Sequence, residues 1–429
     1  MNKRIFVVGD VMLDVYKSGT STRLSPECPV PVVDNITTEN RLGGAANVCQ
    51  TLRVFTDQAM LFSTVGLDSD GAKISSLLAA QNIDNDLKLG PDSKTITKTR
   101  ILANEQQLCR IDSGDINDAP PSIGVAPDCI IVSDYGKGTI TQALMDDLIN
   151  NKSIGYKGLP CNILVDPKGT EWEKYSGAYA ITPNKKEFED AYGEFTYDNA
   201  LKVCEDLNLQ GGLLVTLGAN GMHWIGRDGA SILRRPERVQ VRDVSGAGDT
   251  VIATFALFLP TGIISAMDYA NRAASNVCTK LGTAPPDRNA VVETIVFTNG
   301  CFDIIHSGHI ELLRQASTYG DRLIVGINSD ESAKRIKREP VNDVQERKKV
   351  LESIAGVDSV VIFEEDNPYQ IIKKLQPDIL VKGGDYTVDT VIGNDLVNDV
   401  RIIPTVEGKS TTATVGRLSE LRGVLSQGV

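Results

Sequence analysis

The 429-residue sequence predicts an α/β protein of two domains, each a parallel sheet covered by helices on both faces. Three observations carry this. Apolar runs such as "RIFVVGD", "CIIVSD" and "GLLVTLG" end in glycine or a polar residue, as strands buried on both faces do. Helical patterns such as "TQALMDDLINN" and "NALKVCEDLN" separate them, and strands joined by helical crossovers run parallel. The alternation stops at a Pro-rich polar stretch, "TAPPDRNAVVE" at 283–293, and then restarts. The expected domains are therefore 1–285 and 292–429.

Composition narrows the function classes. Hydrophobic residues make up 41% and charged residues 23%, the balance of a folded globular chain. A formal net charge of −12 argues against nucleic-acid and anionic-membrane partners, which need a basic surface. The eight cysteines are scattered without a C-x-x-C pair, as expected of thiols in a reducing cytoplasm. No run approaches the ~18 apolar residues of a membrane helix. The opening "IFVV" is too short for a signal-peptide core. A cytoplasmic location is expected.

In chain order, the first strand leads into Asp10 and Asp14, carboxylates able to bind hydroxyl groups. Residues 15–36, "VYKSGTSTRLSPECPVPVVDNI", break the alternation and read as short strands with turns, a lid or dimer flap. Gly43 and Gly44 in "GGAANV" form a small-residue turn into a helix. Strands "NILVDP" and "YAITPN" follow. Asn184 and Glu187 stand three apart at a strand end in "TPNKKEFE", suited to a hydrated Mg²⁺. In "VTLGANG", Gly218 and Gly221 allow a nucleotide to lie close.

"DVSGAGDT" is the most informative stretch of the first domain. Gly246, Ala247 and Gly248 open a strongly helical run, so several backbone N–H groups and the helix dipole converge on an anion hole. Asp249 sits in the first turn, where a carboxylate can take the proton of an attacking hydroxyl during phosphoryl transfer.

This set, in this order, resembles the ribokinase/PfkB family of sugar kinases over roughly residues 1–285. The strings "RLSPECPVPVV", "RLGGAANV", "QQLCRID", "SDYGKG", "DPKGT" and "VSGAGDTVIA" are similar to its heptose 7-phosphate kinases. The resemblance implies that Asp249 is the catalytic base and Gly246, Ala247 and Gly248 the anion hole. It implies a Mg·ATP site at Asn184, Lys185, Lys186, Glu187, Gly218 and Gly221, with Glu187 holding Mg²⁺ through water. Asp14, Gly43, Gly44 and Asn47 would bind the sugar, and the cations Arg110 and Lys168 its phosphate. By the same analogy the chain forms a homodimer through the kinase flap. Ser245 stands where the family usually has Thr, which keeps the hydroxyl.

The second domain restarts with "TIVFTNG", a helix from about Gly308, "RLIVGINSD", helix "QERKKVLESI", "VDSVVIF", helix "PYQIIKKLQ", "DILVKGGD", "VRIIPT" and a last helix from Ser410. His306 and His309, two of only three histidines, lie where its first strand turns into a helix. Two histidines can ligate a metal, but zinc motifs space them i, i+4 with a third ligand, and no further His follows. H-x-G-H resembles the signature of the cytidylyltransferase-like nucleotidyltransferases, over about residues 292–429. That resemblance implies imidazoles facing the α-phosphate of a nucleotide as pyrophosphate leaves. Gly308 would let the nucleotide pack against the backbone. A sugar-phosphate nucleophile, with a second pKa near ~6, needs no general base.

The implied nucleotide-binding residues are Gly300, Phe302, Gly308, Lys337, Arg347, Gly384, Asp385, Ser410, Thr411 and Thr412. Lys334 and Arg338 are further phosphate-binding candidates. These motifs alone leave ATP and CTP open, but "INSDES", "FEEDNP", "PDILVKGGDY" and "STT" resemble the adenylyltransferase half of bifunctional heptose enzymes. Two departures from that family stand out: a short connector at 283–293, and Ser317 and Thr318 where basic residues are usual. The resemblances together imply a ribokinase-like three-layer domain followed by a smaller Rossmann-like nucleotidyltransferase domain. They imply sugar phosphates and ATP as substrates, Mg²⁺ as cofactor, and ADP-heptose for lipopolysaccharide core synthesis as the product.

Overall fold

A computed structural model describes residues 3–404, apart from 119, 121–122, 125–126, 153–160, 337, 385 and 398. Its contacts divide the chain between Val291 and Val292 into two compact units.

In the first unit the strands are β1 (Ile5–Gly9), β2 (Val11–Leu24), β3 (Pro31–Gly44), β4 (Ala59–Gly66), β5 (Asp84–Gly90), β6 (Lys94–Ala103) and β7 (Gln106–Asp115). They continue with β8 (Cys129–Ser133), β9 (Asn162–Asp166), β10 (Ala180–Ile181), β11 (Gly212–Thr216), β12 (Met222–Gly226) and β13 (Ser231–Arg234). The main sheet has the order β13-β12-β11-β10-β9-β8-β1-β4-β5. It is parallel from β11 to β5, with β12 and β13 added antiparallel. The all-apolar runs explain this: β1 and β8 are buried along their whole length, which only a sheet covered on both faces allows. One layer of the core packs Trp172, Tyr175 and Phe188 against this sheet.

The remaining strands form a separate sheet, β3-β2-β6-β7. The sequence suggested short strands at 15–36, whereas β2 and β3 each run for 14 residues. β6 and β7 extend this lid beyond anything the apolar pattern displays. Their residues are mostly polar because the lid has little core of its own. Register places Asp14 opposite Arg41 and Lys98, and Tyr16 opposite Glu39 and Arg100. Lys98 lies opposite Asp112, and Arg100 opposite Arg110. Directly paired residues share a face, so one side of the lid carries all of these groups.

The second unit is a five-stranded parallel sheet of β14 (Ile295–Gly300), β15 (Arg322–Asn328), β16 (Ser359–Phe363), β17 (Ile379–Gly383) and β18 (Asp399–Ile403). Its order, β16-β15-β14-β17-β18, reverses direction at β14. Ligands bind outside the carboxyl ends of strands at such a switch point. Apolar clusters cover both faces, one around Leu313 and Leu351, the other around Phe297 and Ile372. Helix Asp330–Ile336 is an element the sequence pattern did not single out. The last helix expected from Ser410 lies outside the described residues.

Candidate active sites

In the first unit the site is built at the carboxyl ends of β1, β8 and β9, beneath the lid. Gly246 caps helix Ala247–Phe258 in the left-handed conformation, φ 77°. A side chain there would also sit 2.6 Å from Asn47 Nδ2, so two constraints require glycine. The first helical bond runs from Thr250 N–H to the Gly246 carbonyl at 3.0 Å. Ala247, expected in the anion hole, instead donates its N–H to the Val244 carbonyl at 3.2 Å. The amides of Gly248 and Asp249 remain at the helix mouth ahead of the first helical bond. A Cβ on Gly248 would meet no protein atom within 4 Å, so the space above it is open.

Asp249 is buried, 3% exposed, in the first turn. Asn47 Nδ2 donates to its Oδ2 at 2.9 Å, and the Tyr135 hydroxyl donates to its Oδ1 at 2.8 Å. Burial pushes its pKa up to about 6, against the opposing pull of these two donors and of the Lys98 ammonium. The carboxylate is therefore ionised at neutral pH yet basic enough to take a proton. Lys98 lies 4.5 Å over the Tyr135 ring, and burial depresses its own pKa. Asp166, at the end of β9, is held well above the ordinary carboxyl range by burial and then by the charges of Asp249 and Glu187.

Asp14 points into the same space. It is buried, pairs with Arg100 at 2.5 Å and accepts from the Thr283 hydroxyl at 3.4 Å. Gly43 is needed beside it, since a Cβ would fall 2.5 Å from Asp14 Oδ2. Gly44, φ 60°, backs onto the Asp10 carbonyl. Asp10 itself does not face the site. Its carboxylate accepts the N–H groups of Tyr135, Lys137 and Thr139 at 2.8, 3.1 and 3.1 Å, so it fixes the 135–139 loop.

Several expected contacts take other partners. Asn184 and Glu187 form a reciprocal capping box, with N–H to oxygen distances of 2.9 and 3.0 Å. Lys168, expected on the sugar phosphate, pairs with Glu187 Oε1 at 2.7 Å. Lys185 and Lys186 are exposed and pair along their own helix with Glu189 and Asp190. Gly221, φ 88°, is required by the β12–β13 pairing, because a Cβ would collide with the Arg234 carbonyl. Gly218, φ 59°, does open onto free space. Arg110 lies on the site face of the lid, forked onto Asp112 at 2.8 and 3.0 Å. Tyr135, Lys98, Arg100 and Thr283 went unnoticed in the sequence. The alternation in "KTITKTRI" was the signal that could have put Lys98 and Arg100 on one face.

In the second unit a cleft of about 940 Å³ opens at the carboxyl ends of β14, β15 and β17, lined in part by Asn299, Phe302, His309, Arg338, Lys382 and Tyr386. His306 is the N-cap of helix Ser307–Ala316, and Gly308 lies in its first turn. The two imidazoles stack with centroids 3.8 Å apart, and the Phe302 ring lies 5.1 Å from His309. Phe302 adopts φ 47°, unusual for a side-chain-bearing residue, and a Cβ on Gly300 would press on its ring at 3.1 Å. Gly384, φ 120°, donates its N–H to the Ile403 carbonyl at 3.0 Å. Lys382 Nζ donates to the backbone and side-chain oxygens of Asn299 at 3.0 and 2.8 Å, linking β17 to β14 across the switch point.

Arg347 was expected on the nucleotide, and here the expectation is corrected. It is 1% exposed, and its guanidinium donates to the carbonyls of Cys301, Asn328 and Asn342 and to Asp330. The arginine ties the loops after β14 and β15 together from below. Asp303, unremarked in the sequence, shapes the cleft rim. It accepts from Arg338, Val341 N–H and Asn342 N–H at 2.9, 2.8 and 3.0 Å. Lys337, Asp385, Ser410, Thr411 and Thr412 lie outside the described residues.

A buried carboxylate at a glycine-opened helix mouth under a charged lid, and a histidine pair over a Rossmann-like switch point, define a carbohydrate kinase joined to a nucleotidyltransferase. Comparisons agree. The model of the pfkB family carbohydrate kinases matches residues 2–290, and that of the cytidylyltransferase-like proteins residues 297–408. Over its length the chain belongs to the family of bifunctional proteins HldE. It is 39% identical to the one of Pseudomonas aeruginosa (strain LESB58), over 97% of each chain. It is 38% identical to that of Aliarcobacter butzleri, again over 97% of each. These alignments run to 472 and 474 residues, more than the 429 present here, so the relatives carry residues this chain lacks. In fold, the first unit matches ribokinase from Thermotoga maritima with a TM-score of 0.54 at 18% identity, covering 67% of this chain and 98% of that one. Arabidopsis thaliana ribokinase gives 0.53 at 19%, covering 68% and 98%. Among the described residues, no helix is long and apolar enough to cross a membrane.

Proposed function

We infer that the chain is the two-step enzyme of ADP-heptose synthesis. Its kinase part, residues 1–285, transfers the γ-phosphoryl group of ATP to the C1 hydroxyl of heptose 7-phosphate, giving the 1,7-bisphosphate. Its adenylyltransferase part, residues 292–429, joins AMP from ATP to heptose 1-phosphate and releases pyrophosphate. The observation that carries the first half is Asp249, ionised yet basic at about 6 and set at the helix mouth under the lid. The C1 hydroxyl gives its proton to Asp249 as its oxygen bonds to the γ-phosphorus and the bond to ADP breaks. The Gly248 and Asp249 amides stabilise the phosphoryl oxygens. Asp14 and Asn47 orient the sugar, exposed Arg110 is the lid cation left for its phosphate, and Lys98 and Arg100 stay beside Tyr135 and Asp14.

Each Glu187 oxygen accepts one bond, from Lys168 Nζ and from the Asn184 N–H, which leaves a lone pair on each for a water carried by Mg²⁺. When bound, Mg²⁺ would neutralise charge on the ATP phosphates. In the second half, His306 and His309 at the helix mouth stabilise the charge of the departing pyrophosphate. The sugar phosphate is already anionic and needs no base. A cytoplasmic enzyme, dimerising through the lid and feeding lipopolysaccharide core synthesis, completes this reading.

³¹P NMR tests it. With Mg·ATP and heptose 7-phosphate, ADP and a bisphosphate are expected. After a phosphatase removes the 7-phosphate, pyrophosphate and ADP-heptose should appear. With heptose 1-phosphate then supplied directly, the second step alone would mean a kinase for another sugar, and CTP outcompeting ATP in that step would overturn the adenylyl assignment.

A further inference from the structure

We propose that Tyr135 is a positioning residue of the kinase reaction: its hydroxyl aims the Asp249 carboxylate and keeps it charged between turnovers. The proposal rests on the kinase reading above and deepens it.

The geometry is specific. Asp249 has two oxygens and two protein donors, one on each. Asn47 holds Oδ2 from the helix side, beside Gly246, where a Cβ would fall 2.6 Å from its amide nitrogen. Tyr135 holds Oδ1 at 2.8 Å from the lid side. Nothing about Tyr135 is left to a flexible loop. Its N–H is bound to buried Asp10 at 2.8 Å, and Asp10 also binds the next turn through Lys137 and Thr139. Its ring packs against Met12, Ile96 and Ile116 and lies under the Lys98 ammonium. A phenol so placed has one available role. Burial and the neighbouring carboxylates push its own pKa upward, so it remains a donor throughout the working range.

The groups facing Asp249 are few. Lys98 from β6 favours its charged form, and Asp14 from β2 opposes it. Asp166 from β9 is coupled to it as well. Neutral Asn47 and Tyr135 supply the hydrogen bonds. Removing one donor to a buried anion disfavours the anion, so Asp249 would be protonated at a higher pH than now. A hydrogen bond to a charged group is worth about one to two pH units of such a shift.

The test is the pH profile of kinase kcat/KM for Tyr135→Phe in the full chain, with pyrophosphate release by the second unit as an internal control for folding. Expected are an acid limb moved up by about one pH unit, a fall in kcat with KM for ATP within twofold, and unchanged adenylyl transfer. Site-specific 3-fluorotyrosine at 135, a stronger donor of nearly equal size, should move the limb down. A Tyr135→Phe enzyme with an unmoved acid limb overturns the proposal, even if its activity is lower at every pH. So does a fluorotyrosine enzyme whose limb stays in place. These failures differ from failure of the kinase reading, in which the unsubstituted protein would not phosphorylate heptose 7-phosphate.

Discussion

Replacing Arg347 by Met separates two jobs that an arginine beside a nucleotide cleft can have. Met keeps the length of the stem and removes the donors. Three carbonyls, of Cys301, Asn328 and Asn342, would then be left around a residue that is 1% exposed. Each buried acceptor without a donor costs about 1–3 kcal/mol. The lost ion pair to Asp330 adds little, since that carboxylate is 41% exposed and water replaces the partner. Partial relaxation brings the sum to roughly 4 kcal/mol, the range seen when a buried charged group loses its set of contacts. For a unit of this size that corresponds to a melting point lowered by roughly 10 °C or more. Thermal unfolding followed alongside both activities reads it out. The unfolding of the second unit should move down, adenylyl transfer should fail at a lower temperature, and kinase activity should persist. At low temperature, with the unit folded, KM for ATP should stay within about twofold. An unmoved transition together with a tenfold rise in that KM would show that Arg347 contacts nucleotide, and the structural argument would be wrong.

Three further outcomes are expected. Kinase kcat/KM should fall about tenfold per pH unit below an acid limb near about 6, because only deprotonated Asp249 accepts the hydroxyl proton; a flat profile from pH 5 to 7.5 would exclude it as the base. Gly248→Ala should fold with unchanged or slightly higher stability, since its Cβ meets no protein atom and alanine favours helix. That methyl occupies the open space at the helix mouth, so kinase turnover should drop roughly 100-fold, measured by coupled ADP release beside a melting curve. His309→Ala should reduce pyrophosphate release by about 100-fold or more and leave the kinase untouched, as a pyrophosphate assay on the full chain would register.

What the sequence displayed and what it concealed follow from the range of the interactions. Strands β1, β8 and β14 were legible because burial on both faces writes a continuous apolar run into three or four neighbouring residues. The Gly246–Asp249 turn was legible for the same reason, since a helix mouth is a local object. Asn184 and Glu187 show where local reading becomes ambiguous: a spacing of three suits a hydrated metal and a capping box alike, and the structure contains the box. The lid was underestimated because β6 and β7 have their charges on the side facing the site, so no apolar stripe announces them. Arg347 and Tyr135 were beyond reach for a different reason. The first reads as a nucleotide-binding cation on a helix until the loops after β14 and β15 close over it. The second becomes part of the kinase site only because β1, through Asp10, holds the 135–139 loop against a helix that begins more than a hundred residues later. Charges that look interchangeable in a sequence acquire distinct tasks once register assigns their partners: Lys98 lies over the tyrosine, Arg100 pairs with Asp14, and Arg110 forks onto Asp112. If these groups select the sugar as proposed, that selection belongs to the pairing of β2, β6 and β7, and a one-residue slip in register would turn a slipped strand's groups to the other face.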